Sequence, residues 1–264
     1  MTLQEATARL REVGIENADW EARQLFCHFG GLRPSDLIGT DPDVSAPALT
    51  DAIRRRIARE PLQYILGEVG FYRESYLVTP ACLIPRPDTE LLVEEAIRRL
   101  PPQGTFADFC TGSGCIAISV LCARTDLTAD AYDISEDALA LARKNAERNG
   151  VADRIRFHAC DILTTPPTAA WDAILSNPPY IPTETVDTLL PELSHEPRIA
   201  LDGGPDGMDF YRAILGGTSA PLYLFEIGYD QKEAIEALAS VHGYPVEVLT
   251  DLGGNPRCAV IKKK

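Results

Sequence analysis

The 264-residue sequence lacks several features that would place it in common classes of protein. No apolar run approaches the roughly 18 residues of a membrane-spanning helix, so we expect no membrane association. Residues 1–5 lack the basic start and apolar stretch of a signal peptide. The seven cysteines form no CxxC pair, and the four histidines are scattered. These absences predict a cytoplasmic protein with reduced thiols and no metal site.

Positive charge is also scarce in this sequence. There are 25 lysines and arginines against 39 aspartates and glutamates, which gives a formal net charge of −14. Proteins that rely on duplex DNA usually carry a basic surface that displaces counterions. We therefore expect no direct nucleic-acid binding, although a local basic patch remains compatible with this composition.

The length and the residue pattern predict one main domain and one small domain. Residues 1–66 show helical apolar spacing, and residues 67–84 read as a β-hairpin linker around a polar turn at 73–75. Residues 85–264 alternate strand and helix patterns, which predicts a catalytic domain of the α/β class. The predicted fold is a doubly wound, mostly parallel sheet with a small helical N-terminal domain, and we expect a monomer. The predicted strands of the sheet are 105–109, 129–134, 154–158, 171–176, 222–227, 246–250 and 257–261.

Some local details of the helices can also be predicted. Asp19 is expected to cap the second helix, and Asp88 or Thr89 the helix that follows the linker. The third helix carries a row of arginines that reads as a solvated face, with docking of an acidic partner as the alternative. These arginines are Arg54, Arg55, Arg56 and Arg59.

A glycine-rich turn, Asp108–Gly114, follows the first predicted strand of the sheet. Small residues at such a turn let backbone N–H groups and a helix N-terminus approach a cofactor closely. Asp133 ends the next strand, where a carboxylate can accept hydrogen bonds from ribose hydroxyls. Because Gly112-x-Gly114-x-x-Ala117 also fits a dinucleotide fingerprint, a dehydrogenase remains an alternative.

Three other features favour S-adenosylmethionine over a nicotinamide cofactor. Asp108 precedes the turn, where it could hold the amino group of the methionine moiety. Asp161 and Ile162 follow the third strand and could meet the adenine amine and ring, respectively. Asn177-Pro178-Pro179-Tyr180 ends the fourth strand on the same edge of the sheet, and a hydride-transfer enzyme has no need for it.

The Asn177–Tyr180 loop suits a planar NH2 group. Two consecutive prolines stiffen the backbone and remove N–H donors, which leaves carbonyl oxygens available. The side-chain oxygen of Asn177 and the carbonyl of Pro178 can accept the two amine hydrogens, while Tyr180 packs on the flat face. The loop therefore predicts methylation of an amide or of an exocyclic amine.

These motifs resemble those of the bacterial-type class I methyltransferases that modify glutamine in peptide-chain release factors, the HemK/PrmC type. The resemblance runs over nearly the whole length. Its segments are Pro61–Gly67, Leu83–Glu90, Asp108–Gly114, Ser176–Ile181, Glu196-Pro197 with Ala200-Leu201, Gly203–Gly207 and Phe225–Gly228. Cys110 departs from the pattern, because many relatives carry glycine there.

The resemblance implies methyl transfer from S-adenosyl-L-methionine, giving S-adenosyl-L-homocysteine, to the glutamine of a Gly-Gly-Gln loop. It also implies that the N-terminal domain helps to grip the protein substrate. Arg86 and Thr89 would belong to a lid over the active site, with Arg86 binding substrate, while for Glu196 and Glu226 scaffolding and catalysis both remain open. The expected catalytic residues are Asn177, Pro178, Pro179 and Tyr180, which also bind the substrate. The expected cofactor-binding residues are Asp108, Cys110, Thr111, Gly112, Ser113, Gly114, Asp133, Ile134, Asp161, Ile162 and Asn177.

Other substrates remain open at this point. A sister group methylates a glutamine in a large-subunit ribosomal protein, and adenine-N6 nucleic-acid methyltransferases also carry the Asn-Pro-Pro-Tyr motif. An adenine-N6 enzyme would need a basic groove and a target-recognition segment, and neither is visible in the sequence. A catalytically inactive binding module is disfavoured because every motif position is intact.

Overall fold

The computed structural model describes residues 1–263, so Lys264, the last residue of the predicted catalytic domain, lies outside the described residues. The chain divides into two compact units. The first consists of Met1–Glu68 together with Leu190–His195. The second consists of Val69–Leu189 and the chain from Glu196 onward.

The first unit is helical and encloses its own apolar core. Its α-helices are α1 (Leu3–Glu12), α2 (Ala18–Gly30), α3 (Pro47–Ile57) and α4 (Leu62–Leu66). Residues such as Leu10, Phe26 and Ile53 are almost fully buried between them. The predicted cap of α2 is wrong, because the helix begins one residue before Asp19. Asp19 instead accepts a hydrogen bond from Arg23, one turn further along the helix, at 2.8 Å.

The arginine row of α3 is not simply a solvated face. Arg56 is only 5% exposed, and its guanidinium donates to the carboxylate of Glu21. It also donates to Glu192, at 3.3 Å, and Arg59 donates to the same carboxylate at 3.0 Å. The solvated-face prediction is therefore wrong for Arg56, since a buried guanidinium needs such partners.

The second unit begins with a hairpin and continues as alternating strands and helices. The hairpin strands are β1 (Glu68–Phe71) and β2 (Glu74–Leu77), so the turn lies at 72–73 rather than 73–75. The strands that follow are β3 (Thr105–Phe109), β4 (Thr128–Asp133), β5 (Ile155–Ala159), β6 (Ala173–Ser176), β7 (Leu222–Glu226), β8 (Val246–Thr250) and β9 (Pro256–Lys262). The α-helices are α5 (Glu90–Arg99), α6 (Cys115–Ala123), α7 (Glu136–Arg148), α8 (Thr183–Val186), α9 (Asp209–Gly217) and α10 (Lys232–Val241).

Seven of these strands form one sheet within the described residues, in the order β5-β4-β3-β6-β7-β9-β8. Strands β3 to β7 pair in parallel, and β9 pairs antiparallel with both β7 and β8. One apolar cluster packs α5 and α6 on one face of the sheet, and a second packs α9 and α10 on the other. The predicted doubly wound, mostly parallel α/β fold is confirmed.

The sheet topology determines where a ligand can bind. The chain winds outward from β3 through β4 to β5, then returns to β6 on the other side of β3. Ligands of such sheets bind beyond the carboxyl ends of the strands at this switch point. Phe109, at the end of β3, is in register with Ser176, at the end of β6. The residues that follow these two strands therefore start side by side.

Two further observations concern residues 1–263 as a whole. No helix among them combines the length and the apolar character that crossing a bilayer requires. No group of three or more histidine, cysteine or acidic side chains in that range could hold a metal ion.

Candidate active site

The glycine-rich turn between β3 and α6 has a strained, compact backbone. Cys110, Gly112 and Gly114 have φ values of 59°, 54° and 82°, all in the left-handed region that favours glycine. At Gly114 a Cβ would lie 2.8 Å from Cδ1 of Ile118 and 3.2 Å from Cβ of Ala142, so only glycine fits without displacement. The turn thus brings backbone N–H groups close to the cavity beside it.

Asp108 lies at the base of this turn and is completely buried. Its Oδ2 accepts hydrogen bonds from the Thr111 hydroxyl at 2.6 Å and from the Ala117 N–H at 3.3 Å. Its Oδ1 has no hydrogen-bond partner among the described residues. Burial raises the pKa of Asp108 to about 7. A buried acceptor without a partner suits a ligand that brings a hydrogen-bond donor or a positive charge.

Asp133, at the end of β4, ties the turn to the neighbouring strand. Its two carboxylate oxygens accept from the Gly112 N–H at 2.8 Å and from the Ser135 N–H at 2.9 Å. Burial raises its pKa above the usual value, and the backbone donors oppose that effect. Each oxygen keeps a further lone pair, so Asp133 can still accept hydrogen bonds from a diol.

Asp161 and Ile162 follow β5 on the same edge of the sheet. The Asp161 carboxylate is held by the Leu163 N–H at 2.9 Å and by the Thr164 hydroxyl at 3.0 Å. Ile162 is 2% exposed and packs into the apolar cluster around Phe109 and Tyr132. Asp161 and Ile162 thus place one polar and one apolar side chain next to each other at this edge of the sheet.

One cavity brings most of the predicted site residues together. Arg86 lines it, together with ten of the residues expected to bind cofactor or act in catalysis. These ten are Cys110, Thr111, Gly112, Ser113, Asp133, Ile134, Asp161, Ile162, Asn177 and Pro179. Among the described residues, Asp108, Gly114, Pro178 and Tyr180 do not line it. Asp108 and Gly114 are the two ends of the turn, and Pro178 is buried within the loop.

The Asn177–Tyr180 loop is held by contacts at both ends. The Asn177 NH2 group donates to the Thr89 hydroxyl at 3.2 Å, and the Tyr180 hydroxyl lies 3.4 Å from Oε1 of Glu226. The carbonyl of Tyr180 accepts from the Gln231 side chain at 3.0 Å. Burial raises the pKa of the Tyr180 phenol, so it stays neutral at ordinary pH.

Two glycines pack directly against the back of this loop. A Cβ at Gly203 would lie 2.7 Å from the Pro179 carbonyl oxygen, and one at Gly207 only 2.2 Å from the Tyr180 carbonyl oxygen. Gly207 also has a φ of 73°. A side chain at either position would collide with the loop, so glycine is what allows these two residues to pack directly against it.

Glu226, at the end of β7, is buried beneath the loop. The Thr89 hydroxyl donates to its Oε2 at 2.6 Å, so Thr89 occupies the predicted N-cap position of α5 without making a side-chain cap bond. Helix α5 begins at Glu90 after a 3₁₀ turn, Pro87–Thr89, and neither Thr89 nor Asp88 makes a side-chain cap bond there. Burial raises the pKa of Glu226 to about 7, against the effects of the Thr89 bond and of Arg257.

Arg86 and Glu196 form an ion pair beside the cavity. Glu196 is 6% exposed and accepts from the Arg86 guanidinium and, at 3.1 Å, from the Ile84 N–H. Burial raises the pKa of Glu196 despite the opposing charge of Arg86. The carboxylate thus ties the segment before α5 in place, which is a scaffolding contact.

Several residues of the site were not predicted from the sequence. The Gln231 side chain makes four hydrogen bonds, to Tyr180, Gly207, Gly228 and Tyr211, yet nothing in its neighbourhood in sequence indicates such a role. Cys82 and Cys160 line the cavity, as do Ile199 and Phe210. Cys160 could have been found from its place just after β5, because the ends of all the parallel strands meet at this edge.

Two family models match parts of this chain. Residues 2–67 match the PrmC N-terminal domain, and residues 87–202 match the methyltransferase small domain. A release factor glutamine methyltransferase of Moorella thermoacetica is 41% identical over 97% of this chain and 95% of its own. One of Caulobacter vibrioides is 38% identical over 96% of this chain and 92% of its own.

A solved structure supports the fold in addition. The E. cuniculi Mtq2-Trm112 complex, responsible for methylation of the eRF1 translation termination factor, is 19% identical. It aligns with a TM-score of 0.51 over 70% of this chain and 99% of that one, a likeness that concerns the fold alone. The sequence relatives carry the assignment further, because they are similar over nearly their entire length. The chain belongs to the release factor glutamine methyltransferase family.

Proposed function

We propose that this protein transfers a methyl group from S-adenosylmethionine to the side-chain amide nitrogen of a glutamine in the Gly-Gly-Gln loop of a peptide chain release factor. The observation that carries the proposal is the shared cavity. Asn177 and Pro179 line the same cavity as Gly112, Asp133 and Asp161. A methyl donor held by the second group would meet a glutamine held by the first.

The residues at the strand ends fit this cofactor. Asp108, whose Oδ1 is a buried acceptor without a partner among the described residues, would take the amino group of the methionine moiety. Asp133 would accept from the ribose hydroxyls, while Asp161 and Ile162 would bind the adenine. The glycine-rich turn would pass beside the cofactor. When bound, S-adenosylmethionine supplies an electrophilic methyl group on a sulfonium.

Asn177 and Pro178 would prepare the glutamine for attack. An amide nitrogen is a poor nucleophile because its lone pair is delocalised into the carbonyl. Two acceptors that take both N–H bonds, Oδ1 of Asn177 and the Pro178 carbonyl, favour pyramidalisation and direct the lone pair toward the methyl group. In-line alignment can contribute roughly 7–11 kcal/mol of the barrier reduction. The nitrogen becomes acidic only after transfer, so no dedicated general base is required.

The remaining parts of the proposal concern the partner and its setting. The N-terminal domain, residues 1–66, would dock the release factor, residues 67–84 would form the linker, and residues 85–264 would carry the catalytic site. Tyr180 would pack on the glutamine amide, and Arg86 would contact the substrate. We further propose that the protein is a cytoplasmic monomer and that it binds no nucleic acid directly. The net charge of −14 supports the last of these points.

The test of this function is radiolabelled methyl transfer to a purified release factor, with a Gly-Gly-Ala version of that factor as control. Label on the wild-type factor alone is the expected result, and it identifies both the reaction and the residue. Label on a large-subunit ribosomal protein or on DNA, with none on the release factor, would retain the chemistry and overturn the substrate.

The Asn177→Ala variant tests the role of the loop. We expect turnover to fall by about 100- to 1,000-fold, as when one positioned hydrogen-bonding group is removed from a transition state. The dissociation constant of S-adenosylmethionine, measured by calorimetry, should change far less. Asn255→Ala, the same substitution in the turn between β8 and β9, should leave both quantities unchanged. An Asn177→Ala enzyme with undiminished turnover would contradict the mechanism.

A further inference from the structure

Asn177 can present either its oxygen or its NH2 group to a ligand, and the two choices differ chemically. The amide nitrogen that is to be methylated carries two N–H donors, so only acceptors can hold that end of the glutamine side chain. The amide oxygen of Asn177 is such an acceptor, while its NH2 group would repel the incoming donors. The enzyme therefore needs a feature that fixes the rotation of this side chain.

The contacts of Thr89 supply that feature. Thr89 is 2% exposed, and its hydroxyl carries a single proton. That proton is donated to Oε2 of Glu226 at 2.6 Å. An ionised carboxylate only accepts, so the remaining lone pairs of the Thr89 oxygen face Asn177 as acceptors. The NH2 group of Asn177 donates to that oxygen at 3.2 Å, which turns the amide oxygen to the other side.

We propose that Thr89 and Glu226 are positioning residues that hold the Asn177 side chain with its amide oxygen, rather than its NH2 group, toward the glutamine to be methylated. This inference rests on the proposed function. Neither residue needs to touch the reacting atoms. Glu226 fixes the direction of one hydroxyl proton, and that hydroxyl in turn selects one of the two orientations of an amide.

The selection depends on the ionisation of Glu226. A neutral carboxyl group can itself donate to the Thr89 oxygen, which frees the Thr89 proton for the oxygen of Asn177. The wrong rotation of the amide then becomes as well satisfied as the right one. Burial raises the pKa of Glu226 to about 7, so protonation below that pH weakens the selection. We therefore expect turnover to fall as pH decreases through that region.

The other titratable groups around Glu226 do not change the expectation that turnover falls as pH decreases. Arg257 lowers the pKa of the carboxyl group, and Asp88 raises it. The neighbouring phenols and thiols have raised pKa values and stay neutral near pH 7. These neutral groups are Tyr180, Tyr211, Cys115 and Cys258. Glu226 is thus the group in this cluster whose charge changes near pH 7.

Two substitutions at Thr89 and a matched control provide the first test. Thr89→Val keeps the shape and removes the hydroxyl, so we expect kcat with a release factor to fall by about 10- to 100-fold. KM and the dissociation constant of S-adenosylmethionine should stay within about twofold. Thr89→Ser restores the hydroxyl and should recover most of the rate. Thr218→Val removes a hydroxyl that donates to Ile214 at 2.6 Å outside the cavity, and kcat should not change.

The pH profile of kcat provides the second test and does not depend on the folding of the Thr89 variants. The wild-type enzyme should lose turnover on the acid side of pH 7, and Glu226→Gln should give a lower rate without that limb. The profile is measured with saturating S-adenosylmethionine, which would keep Asp108 ionised. Under that condition an acid limb that persists in Glu226→Gln would overturn the proposal, as would a Thr89→Ser rate as low as that of Thr89→Val. If the wild-type enzyme fails to label a release factor, the proposed function fails. If it labels the factor and Thr89→Val does so at the same rate, only the role of Thr89 and Glu226 fails.

Discussion

At the scale of single residues, Cys110 is a non-glycine residue of the site whose backbone is left-handed. Its φ of 59° lies in the left-handed region, which costs about 1–2 kcal/mol for a residue with a Cβ. Glycine would relieve that strain, but it would also lose about 0.5–1 kcal/mol through the greater freedom of the unfolded chain. These opposing effects nearly cancel.

We therefore expect Cys110→Gly to change the free energy of unfolding by less than about 1 kcal/mol in chemical denaturation. Cys258→Gly is the matched control, because Cys258 is 1% exposed in the regular strand β9. That substitution removes a buried side chain with no strain to relieve, and it should cost about 2 kcal/mol. Equal losses from the two variants would show that the strain at Cys110 contributes nothing measurable.

Some residues of the site can be predicted from the sequence immediately around them, and others cannot. Asp133 and Asn177 could be predicted because the first ends and the second directly follows a strand whose apolar pattern is visible in the sequence. The local pattern also predicts the N-cap position of Thr89 correctly, but it cannot predict the hydrogen bond of its hydroxyl, because the partner, Glu226, is 137 positions away. Gln231 was missed because its hydrogen bonds join three segments that only the fold brings together.

At the scale of elements, the loop that carries Asn177 is supported by the segment that contains Gly203 and Gly207. An alanine at Gly207 would place its Cβ 2.2 Å from the Tyr180 carbonyl oxygen and 2.7 Å from Nε2 of Gln231. We expect Gly207→Ala to displace the loop, so that turnover falls by at least about tenfold and the protein is destabilised by more than about 2 kcal/mol.

Gly254→Ala separates the effect of backbone conformation from the effect of the clash. Gly254 has a φ of 82°, but a Cβ there would meet no atom within 4 Å. Its alanine variant should lose only about 1 kcal/mol in thermal denaturation and keep its turnover. If the two variants behave alike, the contact behind the loop has no particular role.

The elements themselves were predicted well where the pattern is periodic. The bounds of β3 and β8 agree with the prediction, and those of the other sheet strands differ by one or two residues at an end. Parallel strands buried on both faces read as short apolar runs, which is why they were found. The arginines of α3 were harder, because exposure of a helix face depends on what packs there. Arg56 is buried only because Glu21 and Glu192 accept its hydrogen bonds.

At the scale of the whole molecule, the buried carboxylates should make stability depend on pH. The folded pKa of Asp108 is about 7, above its usual value of 3.8, so the native state binds a proton that the unfolded state has lost between these values. The contribution of Asp108 to the free energy of unfolding is greatest at low pH. It falls as pH rises toward 7, by up to about 1.4 kcal/mol per pH unit.

The comparison with Asp108→Asn isolates this contribution, because the other titrating groups are shared. In thermal denaturation without cofactor, the stability of the wild type relative to Asp108→Asn should decrease from pH 5 to pH 7 and level off above it. With S-adenosylmethionine added, this relative stability should fall less between pH 5 and pH 7, because a cation beside Asp108 favours its ionised form. A stability difference that is independent of pH would contradict the assignment of a raised pKa to Asp108.

The discontinuity of the helical unit limits how the molecule can be divided. Because Leu190–His195 belongs to that unit, no single cleavage of the polypeptide yields both units intact. A fragment that starts at Val69 would retain Glu192 but lose Arg56 and Arg59, which bind its carboxylate. A fragment that ends at Glu68 would leave the buried guanidinium of Arg56 with one carboxylate instead of two. We therefore expect neither fragment to be as stable on its own as the same residues are in the intact chain.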